Sequence, residues 1–191
     1  MFLNINPIVI AIIAIVLVVI CLVIWYISTA NALRRLEQNV LESESGIDVA
    51  LAKRFDSLTK MLETTKGYAK HEAETLQNVI KWRNGLPSNA SLEEKQAFAS
   101  QLSQVEKGIN VVVEQYPQLK ADTVFAKLQS AIMDSEEHLQ AARRLFNSNV
   151  KTINQKIVSF PTSWVAKKIS MEKKAYFEVE EQKRQDPKME F

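Results

Sequence analysis

The sequence predicts an all-α protein: a single N-terminal transmembrane helix, then an antiparallel bundle of three long helices and a short C-terminal helix. Three observations carry that expectation. Residues 8–27, IVIAIIAIVLVVICLVIWYI, contain no charge, glycine or proline. The whole chain of 191 residues has only four Gly and five Pro, too few for the turns of a many-stranded fold, while abundant Ala, Leu, Glu, Lys and Gln favour helix. Beyond the apolar run, nonpolar residues return at steps of three and four between proline-containing breaks, the period of an amphipathic helix.

A helix of the length of residues 8–27 rises about 30 Å, the hydrocarbon thickness of a bilayer. Trp25 and Tyr26 stand at its distal end, where amphipathic rings favour the headgroup level. A core helix of this composition would need a protein large enough to surround it. A cleaved signal would need a basic leader and a shorter apolar stretch. Ala30-Asn31-Ala32 does spell a cleavage-like site, but MFLNINP has no Lys or Arg and the run is too long. Ile20 before Cys21 disfavours lipid attachment there. Arg34, Arg35, Lys53 and Arg54 follow the span and no basic residue precedes it, so the positive-inside rule puts the N-terminus out and the rest in the cytoplasm. The expected organisation is a short extracytoplasmic tail (1–7), the transmembrane helix (8–27), a cytoplasmic helical bundle (28–181) and a charged C-terminal tail (182–191).

From Ile8 to Leu86 there is no proline, and Ile47, Leu51, Phe55, Leu58, Leu62, Thr65, Ala69, Ala73, Leu76 and Ile80 mark one helix face. The first bundle helix is therefore expected to run straight on from the membrane segment. Turn residues 84–89, NGLPSN, end it. Ser91-Leu92-Glu93-Glu94 matches a capping box and opens the second helix, with Phe98, Leu102, Val105, Ile109 and Val112 or Val113 as its stripe. Tyr116-Pro117 breaks the chain. In the third helix Val124, Leu128, Ile132, Ser135, Leu139, Ala142, Phe146, Val150, Ile153, Ile157 and Phe160 keep the period until Pro161. A shorter helix begins near Thr162 or Ser163, followed by a charged tail. Short loops between long amphipathic helices make antiparallel neighbours.

The chemistry-bearing patterns are sparse. A net charge of +2, from 24 basic and 22 acidic residues, argues against nucleic acid. Cys21, the only cysteine, lies in the apolar run, so no disulfide framework or thiolate metal cluster is expected. His71-Glu72 begins like a zinc motif, but Thr75 stands where the second histidine belongs. Tyr68 and Ser135 precede His71 and His138 by three, so neither completes the Glu-x-x-His pair of a di-iron bundle. No nucleophile elbow, phosphate-cradling loop or dinucleotide fingerprint occurs. No catalytic residue, cofactor, metal or small-molecule substrate is expected. Three features remain as partner-contact or packing candidates. Gly67, Tyr68 and Ala69, with His71 close by, would admit a partner helix or, more often, a neighbouring helix of the same bundle. Asn147 and Asn154 would set packing register or meet a ligand. Trp164, Lys167 and Lys168 belong to a membrane-surface or partner-binding element, or to a capping helix with solvated lysines.

Several segments in order resemble the LemA family of bacterial membrane proteins. They are Asn31-Ala32-Leu33, residues 46–56 (GIDVALAKRFD), residues 66–72 (KGYAKHE), residues 116–121 (YPQLKA), Arg143-Arg144-Leu145-Phe146-Asn147 through Asn154, Phe160-Pro161, and Phe177 with residues 187–191. Phe146 and Ile153 stand where that family often has tyrosine, and Ala30 takes another usual tyrosine place. The resemblance implies a bacterial inner-membrane protein with a helical cytoplasmic domain, and it supplies no biochemical activity. With the residue reading, it leads to a non-catalytic scaffold or adaptor that binds membrane-associated proteins at the cytoplasmic face. Self-association is compatible with this, although the anchor lacks Gly-x-x-x-Gly. An accessory factor for membrane protein quality control near a membrane metallopeptidase is the alternative, and an uncharacterised enzyme the last.

Overall fold

The computed structural model describes residues 7–65, 87, 90–120 and 122–178. The readings made on Gly67, Tyr68, His71, the Asn84-Gly85 turn and the tail 182–191 lie outside them. Among the described residues five helices follow in order: α1 (Pro7–Thr65), α2 (Leu92–Gln115), α3 (Pro117–Lys120), α4 (Thr123–Val158) and α5 (Thr162–Lys168). No strand occurs among the described residues. The protein is all-α, with one long apolar N-terminal helix and a bundle arrangement. It divides into two compact units: Met1–Leu41 with Asn149–Ala175, and Glu42–Ser148 with Tyr176–Phe191.

In the first unit, α1 runs unbroken out of its apolar stretch. Residues 7–25 are all exposed, and Tyr26 is the first residue with partial cover. From there the helix packs. Leu33, Val165 and Ala166 form a buried cluster against which Tyr26, Ala30, Ile157, Ile169 and Met171 lie. α4 runs against α1 here, because Asn149 Nδ2 donates to the Asn39 carbonyl at 3.2 Å while Ile157 reaches the Leu33 cluster. α5 ends in a Schellman motif. Met171 N–H donates to the Ala166 carbonyl at 2.9 Å and Ser170 N–H to that of Lys167 at 3.2 Å. Ser170 takes the left-handed φ of 54° that this cap requires, and Met171 folds back onto the cluster as the motif's hydrophobic contact.

The core of the second unit is built from Ile47, Leu51 and Leu58 of α1, Phe98, Leu102 and Ile109 of α2, and Phe125, Ile132, Leu139 and Phe146 of α4. Each such side chain contributes about 1.5–3 kcal/mol on burial. The capping box at Ser91 is formed: its hydroxyl accepts from Glu94 N–H at 3.2 Å and its own N–H donates to Glu94 Oε2 at 2.7 Å. Asp122 caps α4 by accepting from Val124 N–H at 2.7 Å. α2 and α4, joined through the short α3, run in opposite directions. α1 and α2 run the same way, since Glu44 and Asp48 meet Lys95 whereas Arg54 meets Ser103 and Glu106. The rule that a short loop reverses direction applies to consecutive helices, and residues 66–91 separate these two.

Three stripe positions differ from the sequence expectation. Arg54 is buried more deeply than Phe55, which is half-buried with its ring 5.8 Å from that of Phe98. Val124 is 56% exposed while Phe125 is buried. Phe125, Ile132, Leu139, Phe146 and Ile153 keep a seven-residue phase, and Val124 stands one residue, about 100° around the helix, out of it. Phe160 is 88% exposed. It lies past the end of α4 at Val158, where helical phase no longer assigns a face.

Candidate functional site

The second unit contains a polar cleft of about 550 Å³ between α1, α2 and α4. Arg54 is its centre. Ile47, Leu51, Arg54 and Leu58 follow at steps of four, three and four, so helix geometry alone carries the guanidinium into the interior. Its side chain is 4% exposed and meets two carboxylates. Nη2 donates to Glu106 Oε2 at 2.8 Å and to Ser103 Oγ at 3.2 Å, and Nη1 lies 2.8 Å from Glu136 Oε2. The Nε–H is buried without a hydrogen-bond partner. Arg143 adds a second guanidinium. It stacks 4.8 Å over the Phe177 ring and donates to the Glu178 carbonyl at 3.3 Å. Burial is the main influence on Arg143 and pulls its pKa below the usual arginine value; the Glu136 carboxylate opposes that and the Arg54 charge reinforces it.

Lys95 is another buried cation of this unit. It occupies a stripe position ahead of Phe98 and Leu102, and its ammonium lies 2.8 Å from both Glu44 and Asp48. Burial alone would lower its pKa, but hydrogen bonds to Asp48 and Glu44, with their charges, outweigh it and leave the pKa above the ordinary 10.5. It remains a cation at physiological pH.

The cleft presents Gln96, Asn110 and Gln140 beside these paired charges. Such a wall can hydrogen-bond a polar polypeptide. The Ser103 hydroxyl is engaged on both sides, donating to the Ala99 carbonyl at 3.2 Å and accepting from Arg54. Sequence reasoning gave Arg54 and Lys95 no place in a site, reading Arg54 as a charge flanking the span and as part of a family-like segment, and met Arg143 only within another such segment. The signal was present for the first two: each interrupts an otherwise apolar stripe.

Asn147 and Asn154 hold the chain's own C-terminal segment. The Asn147 amide donates to the Phe177 carbonyl at 2.9 Å and accepts from the Phe177 N–H at 2.8 Å. Within the other unit, Asn154 does the same to Lys174, at 2.9 Å in both directions. A carboxamide carries donor and acceptor side by side, so each asparagine pairs with a peptide unit as a neighbouring strand would. Residues 171–178, which follow α5 and have no helical period, are thus held through the backbone of Lys174 and Phe177. Trp164, 58% exposed on α5, meets the Tyr26 ring edge-on at 6.2 Å. Lys167 and Lys168 are exposed on the same helix. His138 is exposed on α4.

Two comparisons bear on kinship. The family model described as LemA family matches residues 43–191, beginning after the apolar stretch, so that likeness rests on the helical body. Protein LemA of Metamycoplasma hominis is 30% identical over 163 residues, covering 84% of this chain and 74% of that protein. These two matches agree, and the chain belongs to the LemA family.

Proposed function

We propose that this protein is a non-catalytic scaffold, anchored in the bacterial inner membrane by α1 and binding protein partners on the cytoplasmic side. The supporting observation is the exposed apolar stretch of α1. Ile8 through Ile24 leave large aliphatic side chains 45–66% exposed, over a window of mean hydropathy 3.6. Leaving such side chains in water forfeits about 1.5–3 kcal/mol each, a sum that a bilayer recovers. The four basic residues after the stretch and none before it favour the N-out direction. Confinement to two dimensions would raise the effective concentration of the helical body around membrane partners.

The cleft supplies the binding surface in this reading. The Arg54 charge is already paired with Glu106 and Glu136, so a partner gains from hydrogen bonds to the amides without first stripping water from that charge. The test is a photo-crosslinking amino acid placed at Gln140, with a matching control at exposed Lys151, both in intact membranes. A discrete set of protein adducts at Gln140 and none at Lys151 is the expected result. Adducts at neither position remove the cleft as a partner surface. Recovery of a membrane metallopeptidase would redirect the reading to quality control. Reporter fusions at the two ends test direction, and periplasmic activity after Phe191 would overturn N-out.

A further inference from the structure

We propose that residues 158–164, the end of α4, the turn after it and the start of α5, are a second membrane contact, dipping Phe160 and Trp164 into the lipid interface beside the place where α1 leaves the bilayer. The proposal rests on α1 spanning the membrane, and it lies wholly within the first unit.

The register places the turn. α4 and α1 are antiparallel with Asn149 opposite Asn39. Each residue onward in α4 is one residue back along α1, so Val158, the last residue of α4, comes level with Ala30. Trp164 confirms the level independently, because its ring packs against Tyr26. Tyr26 is where the exposed apolar stretch gives way to packed helix, which is the headgroup depth if that stretch crosses the bilayer. The turn therefore ends at the membrane surface and not above it.

Its composition fits that depth. Phe160 is 88% exposed, Trp164 58% and Val158 56%, all at one tip. Scattered exposed apolar residues need no explanation, but a contiguous set with an aromatic pair marks an interaction surface. Here the set adjoins the lipid-facing helix. Lys156, Lys167 and Lys168 flank it and are exposed, an arrangement that pairs an apolar wedge with anionic headgroups. Continuity with α1 and this charge favour lipid over a protein groove as the occupant.

The experiment measures depth on the full chain in vesicles of phosphatidylcholine with a minor share of phosphatidylglycerol. Three single-cysteine proteins carry a nitroxide: native Cys21 within the stretch, Cys21→Ala/Phe160→Cys at the tip, and Cys21→Ala/Lys151→Cys higher on α4. Accessibility to oxygen, which partitions into lipid, is compared with that to a water-soluble nickel chelate. Cys21 and the tip should both show an oxygen-to-nickel ratio severalfold above Lys151, the tip being the shallower. Adding Trp164→Ser to the tip-labelled protein should shift that ratio toward the aqueous value, while circular dichroism reports an intact fold. A tip ratio equal to that of Lys151, with Cys21 still in lipid, overturns the proposal and leaves the span standing. An aqueous Cys21 removes the span and the proposal with it. Phe160 packs on little else, so its replacement is not expected to disturb folding.

Discussion

Arg54 is a cation placed by helix phase where a leucine would ordinarily sit, and its partners are unequal to it in burial. The guanidinium is 4% exposed, while Glu106 and Glu136 keep 32% and 24% of their side-chain surface. Losing the arginine frees two carboxylates that can turn toward water. Losing both carboxylates strands a charge that cannot. Breaking a buried pair so as to leave an uncompensated buried charge costs about 3–5 kcal/mol, whereas groups that water can reach again lose about 1–3 kcal/mol. Glu106→Ala/Glu136→Ala should thus destabilise the second unit more than Arg54→Met, measured by hydrogen exchange of the α2 and α4 amides. The reverse order would mean that Arg54 acts mainly by packing its aliphatic stem. An arginine at a stripe position can be read from the sequence. Its two acidic partners cannot, because they come from helices about fifty and eighty residues away and share no local pattern with it.

Among the elements, α5 has the stop most open to improvement. Ser170 holds the left-handed position that glycine adopts freely. A non-glycine residue there bears about 1–2 kcal/mol of strain, and glycine returns about 0.5–1 kcal/mol of that through its looser unfolded chain. Ser170→Gly should stabilise α5 by about 0.5–1 kcal/mol, seen as roughly two- to fivefold slower exchange of its terminal amides; Ser170→Ala should bring no such gain. Faster exchange in the glycine variant would show that the serine side chain itself secures the cap. How far the elements were legible follows the same local logic. The unbroken α1, the Ser91 capping box and the stop at Pro161 each depend on neighbours within four residues and were readable. The choice of Phe125 over Val124 was not, since both fit steps of three and four and only the packed core decides between adjacent phases. The common direction of α1 and α2 and the strap of residues 171–178 depend on distant contacts. The strap has no periodicity to read, because Asn147 and Asn154 grip it through its backbone and not through a repeating set of side chains.

At the scale of the whole molecule, α1 does two separable jobs along one continuous helix. Residues 7–25 are exposed throughout, whereas Tyr26, Ala30 and Leu33 belong to the packed cluster of the first unit. The fold should therefore be indifferent to the first stretch and sensitive to the second. A chain that begins at Trp25 should leave the membrane fraction, yet melt cooperatively within a few degrees of the full protein in detergent. Beginning at Ala32 instead removes the Tyr26–Trp164 ring contact, worth about 0.5–1.5 kcal/mol beyond its buried area, and Ala30 with it. That shorter chain should melt distinctly earlier, with the loss confined to the first unit in hydrogen exchange. Sedimentation and thermal unfolding of the two truncations decide the matter together. If the chain beginning at Trp25 loses as much stability as the shorter one, the apolar stretch takes part in the fold, and its exposure is not that of a helix awaiting lipid. If only the shorter chain suffers, the boundary between lipid-facing and packed helix lies at Tyr26, a single residue at which the solvent of α1 changes.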